Sequence, residues 1–227
     1  MQMQPSQESI QLAKFESLQN AVIAIAGKTL GEVANSLNIV VPQNLLQNKG
    51  WIGQLIETAL GVQNNSRPEP DFPELGIELK TLPITVKGRP KESTYVCVAP
   101  LTNLTGLKYS ESLVAHKLSH VLWIPIQADK SLPISQRRIG QGIFWKPNLQ
   151  QIQTLEDDFQ EITDQIALGN VEQVTAHQGK ALQLRPKAAN SKVLTEAIGP
   201  DGENILTLPR GFYLRPSFTQ NILKFYV

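Results

Sequence analysis

The sequence predicts a mixed fold, α/β or α+β, built as two lobes that fold as one unit. Three observations predict it. Helical spacing and capping signals fill the first third, short β-rich apolar runs fill the middle, and a long amphipathic stretch follows over 149–168. A chain of 227 residues is long enough for one good core or for two small lobes.

The elements can be taken in order. Ser6 is placed to cap a helix that runs to Gly27. Thr29-Leu30-Gly31-Glu32 is a capping-box pattern for a short second helix. Over 50–60, the apolar residues Trp51, Ile52, Leu55, Ile56, Ala59 and Leu60 have helical spacing, and Gly61 ends the segment. Residues 63–70 carry only loop signals. Strands are expected over 75–82, 94–98 and 120–126, with a fourth over 139–145 despite two glycines. A helix over 110–119 sits between two of them. The helix over 149–168 ends at Gly169, and its acidic cluster Glu156, Asp157, Asp158 and Glu161 reads as a solvated face. Residues 181–184, which lack a β-branched residue, and 211–214 fit short strands. Ser217 then caps a last helix to Lys224. No internal repeat or low-complexity tract is present.

Composition bounds the function classes. Hydrophobic residues make up 41% and charged residues 18%, ordinary for a soluble globular protein. The polar start and the short early apolar run at 21–26 match neither a leader nor a membrane span, so a cytoplasmic location is expected. The single cysteine, Cys97, excludes an internal disulfide and a cysteine-built zinc site. The net charge of +1 is unevenly distributed. Residues 80–138 carry 9 basic and 3 acidic side chains, and residues 177–227 carry 7 and 3. The intervening 139–176 carry 1 and 6, and 1–79 carry 4 and 8. Basic stretches that meet would form a footprint for a polyanion; otherwise they are solvated surface.

Several motifs are decoys. Ala26-Gly27-Lys28-Thr29 resembles the end of a phosphate-binding loop, but Val22 stands where that loop needs glycine. His116 and His120 have chelating spacing on a helix but lack a third soft ligand. Cys97, inside an apolar strand, reads as a buried thiol, and Trp51, Trp123 and Trp145 read as core or interface.

The segment that carries chemistry is Glu69-Pro70-Asp71-Phe72-Pro73-Glu74-Leu75-Gly76-Ile77-Glu78-Leu79-Lys80. In a strand Glu78 and Lys80 share one face while Leu79 points to the core. A bend at Pro73 and Gly76 can return Asp71 beside them. Two carboxylates and an ammonium at one strand edge suit phosphodiester hydrolysis. Asp71, Glu78 and the Leu79 carbonyl offer hard oxygens to Mg2+, and Lys80 can orient or deprotonate a water and offset transition-state charge. Glu57, on the preceding helix, can add a further carboxylate and a second metal. An E-x-K alone arises about once by chance in such a chain, and a surface ion-pair strand remains the alternative at this point.

Longer words carry a specific resemblance. Pro70-Asp71 with Glu78-Leu79-Lys80 resembles the core motif of the PD-(D/E)xK nucleases. The words Asn48-Lys49-Gly50-Trp51-Ile52-Gly53, Val96-Cys97-Val98-Ala99-Pro100-Leu101-Thr102, His116-Lys117-Leu118, Leu184-Arg185-Pro186-Lys187 and Leu208-Pro209-Arg210-Gly211-Phe212-Tyr213-Leu214 resemble the MutH family within them. The similarity runs from roughly residue 20 to the end. It implies a restriction-endonuclease-like fold: a central mixed sheet flanked by helices, with one lobe mainly in 1–110 and the other mainly in 111–227, clamping double-stranded DNA. It implies nicking of the unmethylated strand at hemimethylated GATC sites with Mg2+, activated by the MutL ATPase after MutS finds a mismatch; one apparent active site in a chain of this length fits a monomer. Carried over by motif, Asp71, Glu78 and Lys80 are catalytic, Glu57 is an accessory carboxylate, and Lys117 is a further site lysine. Arg185, Pro186 and Tyr213 match the readers of GATC and its methylation. Lys49 and Lys187 are either phosphate contacts or solvated charge. Two rival functions stay open: a GATC restriction enzyme cutting both strands, and a non-catalytic DNA-binding regulator.

Overall fold

The computed structural model describes residues 6–62, 69–129, 131–188 and 192–224. The loop expected over 63–70 lies mostly outside them. The chain opens with helices α1 (Gln7–Ile25), α2 (Leu30–Ser36) and α3 (Trp51–Ala59), then strands β1 (Glu78–Ile84) and β2 (Thr94–Val98). Helix α4 (Leu113–Leu118), strands β3 (Val121–Gln127) and β4 (Ile143–Trp145) and helix α5 (Leu149–Ala167) follow. Strands β5 (Leu182–Pro186), β6 (Thr195–Ile198), β7 (Asn204–Thr207) and β8 (Arg210–Leu214) precede helix α6 (Pro216–Lys224). The fold is mixed α+β, with small sheets flanked by helices. No helix among the described residues is long and apolar enough to cross a membrane.

Packing divides the chain into two units: Met1–Lys91 with His120–Trp145, and Glu92–Ser119 with Lys146–Val227. One boundary near residue 110 therefore does not describe it. Strand pairing is the reason. β3 lies parallel to β1 and antiparallel to β4, which draws 120–145 into the first unit. β2 lies antiparallel to β8, which draws 92–119 into the second.

In the first unit, the local signals act as expected. Ser6 Oγ accepts the N–H of Ser9 at 3.2 Å. Thr29 Oγ1 accepts from Glu32 N at 3.1 Å and Glu32 Oε2 accepts from Thr29 N at 2.7 Å, a complete capping box. Leu18, Val22 and Ile25 of α1, Leu30 and Val33 of α2, and Leu55 and Ile56 of α3 bury against Ile77, Leu79, Leu122, Ile124 and Ile126. This mixed sheet, ordered β1-β3-β4, leaves β1 as an edge strand.

In the second unit, β8 lies between β2 and β5 in an antiparallel sheet. Phe212 and Leu214 of β8 alternate with Gly211 and Tyr213, so one face is apolar and the other is open to polar use. Phe212 meets Phe159 of α5 with ring centroids 5.5 Å apart. The β6–β7 hairpin was not anticipated. It turns at Gly199-Pro200-Asp201-Gly202, where Gly199 N donates to Glu203 O at 2.8 Å and Gly202 takes φ +79.

Candidate active site and nucleic-acid face

Strand β1 begins at Glu78 rather than 75 because the preceding residues form a tight turn. Gly76 takes φ +63, and Phe72 and Ile77 exchange backbone hydrogen bonds at 2.9 and 3.2 Å. That turn returns Asp71 to the strand, where its Oδ2 accepts the N–H of Leu79 at 2.7 Å. Glu78, only 7% exposed, pairs with Lys80 two residues on, Oε1 to Nζ at 3.2 Å. Glu57 arrives from α3, partly buried, with its Oε1 beside Gly53 one turn earlier. Burial first, and then the Asp71 and Glu78 carboxylates, push Glu57 above the usual carboxylate range. The structure thus brings together Glu57, Asp71, Glu78, Leu79 and Lys80. A surface ion-pair strand does not fit a glutamate this buried beside two other carboxylates.

Backbone direction adds a further oxygen. Glu78 N donates to His120 O at 3.0 Å, so Glu78 points its peptide groups toward β3. In a parallel ladder the next residue points its own the other way. The Leu79 N–H and carbonyl therefore both face the open edge, the N–H held by Asp71 and the carbonyl beside it. No three His, Cys, Asp or Glu side chains among the described residues form a ready-made ion cage. Mg2+ does not ask for one: it keeps several waters and takes one or two carboxylates. Asp71, Glu78 and the Leu79 carbonyl are a hard-oxygen set of that kind, and the mutual repulsion at Glu57 marks a place where a cation relieves charge.

The open face of the second unit gathers the other expected residues. Tyr213 is paired across β8 with Gln183 of β5 and with Tyr95 of β2. The two tyrosine rings meet edge to face with centroids 5.3 Å apart. The Arg185 guanidinium lies 5.8 Å from the Tyr213 ring centroid, and Lys187 Nζ stands 4.3 Å over the Tyr95 ring. Lys187 is exposed, and its ammonium rests on that ring. Pro186 ends β5, exposed, opposite Arg210. Burial raises the Tyr213 phenol pKa while Arg185 opposes the rise. Tyr213 is half-buried on this face rather than in the core.

Lys117 lies on α4 of the second unit, partly buried. Lys49 is exposed in the first unit, just before Gly50, which caps α3 at φ +85. Reading the sequence missed Tyr95, and Ser93 beside it. Both precede or open a strand read only for its apolar pattern. Cys97 is buried, and Trp123 and Trp145 are core residues. The acidic face of α5 needs one correction. Asp158 is 3% exposed and its carboxylate accepts the N–H groups of Lys180, Ala181 and Leu182 at 2.6–2.9 Å. It anchors the start of β5 instead of meeting water.

Comparison with known proteins agrees with this geometry. The family profile described as DNA mismatch repair enzyme MutH matches residues 60–158, which include β1 with Asp71, Glu78 and Lys80. Proteins named DNA mismatch repair protein MutH are similar over most of both chains. That of Serratia proteamaculans is 54% identical over 199 residues, covering 88% of this chain and 87% of its own. That of Shewanella woodyi is 53% identical over 210 residues, covering 92% and 91%. That of Escherichia coli K12 is 53% identical over 199 residues, covering 88% and 87%. With identity of this order along nearly the whole chain, and the carboxylate–lysine edge intact, this protein belongs to the MutH family of DNA mismatch repair enzymes.

Proposed function

We propose that this chain is a magnesium-dependent DNA endonuclease of mismatch repair. It nicks the unmethylated strand at hemimethylated GATC sites, 5′ to the guanine, acting as a monomer when MutL activates it after MutS has found a mismatch. The observation that carries this reading is the convergence of Asp71, Glu78 and Lys80 at the edge of β1 in a chain of this family.

The reaction displaces one P–O ester bond with a water oxygen, and the leaving oxygen takes a proton. Asp71, Glu78 and the Leu79 carbonyl would hold Mg2+, which would supply polarisation of the phosphate and a more acidic water. The chain's own residues do the rest. Lys80, held at Glu78, orients the water and offsets the negative charge that grows on the phosphoryl oxygens. Glu57 is an additional oxygen ligand or a base for the water. Lys117 neutralises the scissile phosphate. Arg185 reads guanine by a two-pronged contact, worth about 1–3 kcal/mol of discrimination. Tyr213, packed edge to face on Tyr95, leaves no room for an N6-methyl on adenine, so methylation is read by exclusion. Lys187 and Lys49 contact phosphates, and Pro186 shapes the reading edge.

The test is strand-resolved cleavage with Mg2+ of three duplexes, each holding one GATC site: unmethylated, hemimethylated and fully methylated. Nicking of the unmethylated strand alone, with the fully methylated duplex resistant, is expected. The Glu78→Ala variant should lose cleavage and keep DNA binding. Concerted cutting of both strands would establish a restriction enzyme instead. No cleavage with MutL and ATP present would leave a DNA-binding regulator.

A further inference from the structure

We infer that Ser93 is a positioning residue for sequence reading: its hydroxyl holds the Arg185 guanidinium in the orientation that contacts the base. The inference rests on the proposed role of Arg185. Arg185 is exposed at the end of β5, and an exposed arginine samples many rotamers. Here two groups restrain it. Ser93 Oγ, one residue before β2, accepts from Arg185 Nη1 at 2.6 Å. The Tyr213 ring lies beneath the guanidinium carbon at 5.8 Å. Ser93 and Arg185 stand 92 positions apart in sequence, so the bond is a product of the β2-β8-β5 sheet and not of local chain geometry.

The geometry determines what remains free. A guanidinium offers five N–H donors in a rigid plane. Tethering Nη1 to Ser93, with a ring on one side, leaves the edge formed by Nε and Nη2 to make the paired contact that guanine O6 and N7 accept. A pre-set guanidinium loses less conformational freedom when it meets DNA, and the gain appears only where both prongs are satisfied. Ser93 therefore acts on discrimination between sites more than on bulk affinity, which comes from phosphate contacts.

The experiment measures kcat/KM for cleavage of hemimethylated GATC and of a site in which the guanine is replaced, for four forms: wild type, Ser93→Ala, Ser93→Thr and Arg185→Ala, with the Ser93→Ala/Arg185→Ala pair completing a cycle. Ser93→Ala should lower the ratio of the two sites about 3–10-fold, the size of one ordinary net hydrogen bond, because this one lies open to water. Ser93→Thr keeps the hydroxyl and should restore the ratio. In the Arg185→Ala background, Ser93→Ala should change nothing, because its partner is gone. An unchanged ratio in Ser93→Ala, or an equal loss with and without Arg185, overturns the role of Ser93 while leaving the GATC reading intact. A wild-type chain that shows no preference for GATC overturns the reading itself, and the role of Ser93 with it.

Discussion

Replacing Asp158 by alanine should destabilise the second unit substantially, although residue 158 lies on a helix whose neighbours Asp157 and Glu161 are exposed. The carboxylate collects three consecutive backbone donors, Lys180 N, Ala181 N and Leu182 N. Those of Ala181 and Leu182 are buried. A buried donor stripped of its acceptor costs about 1–3 kcal/mol, which gives roughly 2–6 kcal/mol for two. The Lys180 N–H, only part-buried, recovers water. Removing the charge also returns the cost of having dehydrated it, so the expected net loss lies near about 2–4 kcal/mol. In a chain of this size, each kcal/mol lowers Tm by roughly 2–4 °C. Asp158→Asn should do little better, since an amide presents one oxygen and two hydrogens to a nest of donors. The assay is urea unfolding of wild type and both variants, read by far-UV circular dichroism and by tryptophan fluorescence, with matched m-values required for the comparison. A loss below about 0.5 kcal/mol for the alanine variant, the range of an ordinary surface change, would refute the reasoning.

Two further outcomes follow from the structure. Burial, followed by the Glu156 carboxylate, pushes the Tyr109 phenol up to about 12. A phenol whose folded pKa lies above its unfolded value near 10 holds its proton more tightly when folded. Its contribution is therefore full below about pH 10 and is lost as pH rises toward about 12. Tyr109→Phe, which keeps the ring contact with Phe159, should flatten the fall in urea midpoint between about pH 10 and 12; an unchanged slope would count against it. Gly211→Ala should disturb the nucleic-acid face, because a Cβ there would stand 2.9 Å from a Tyr95 ring carbon and 3.2 Å from the Cys97 carbonyl. The expected cost is about 1–3 kcal/mol of stability, with weaker binding to a GATC duplex measured by fluorescence anisotropy.

What the sequence makes legible here depends on range. Capping boxes, helical spacing and period-two strands are local, so α1–α3, β1 and α5 emerge within a few residues of their ends. The carboxylate–lysine edge is legible for the same reason, since Asp71, Glu78 and Lys80 lie within one turn and one strand. The hairpin β6–β7 escapes because Thr195, Glu196 and Asn204 break the apolar alternation, although its turn signal stands in plain view. Asp158 escapes because its partners are backbone N–H groups 22–24 residues away, which leave no trace in side-chain identity. Ser93 is illegible for a related reason: a half-buried serine acquires meaning only when the sheet sets it against Arg185. The two-unit boundary is misread wherever chain order is taken as spatial order.

That interleaving has a consequence for synthesis of the protein. The chain passes from one unit to the other at residues 91, 119 and 145. A nascent chain released as far as β2 has made no complete unit, because β1 still waits for β3 and β2 waits for β8, more than a hundred residues downstream. The first unit has all of its chain only once Trp145 has been made, and until then it must carry 92–119, a segment that belongs to the other unit. The edge of β1, with Asp71 and Glu78 beside it, acquires its parallel neighbour only when β3 has been made, and Tyr213 and Arg185 are set side by side only when β8 arrives. The carboxylate–lysine edge of the first unit is thus completed well before the β2-β8-β5 sheet of the second, and β2 stays unpaired through the whole interval.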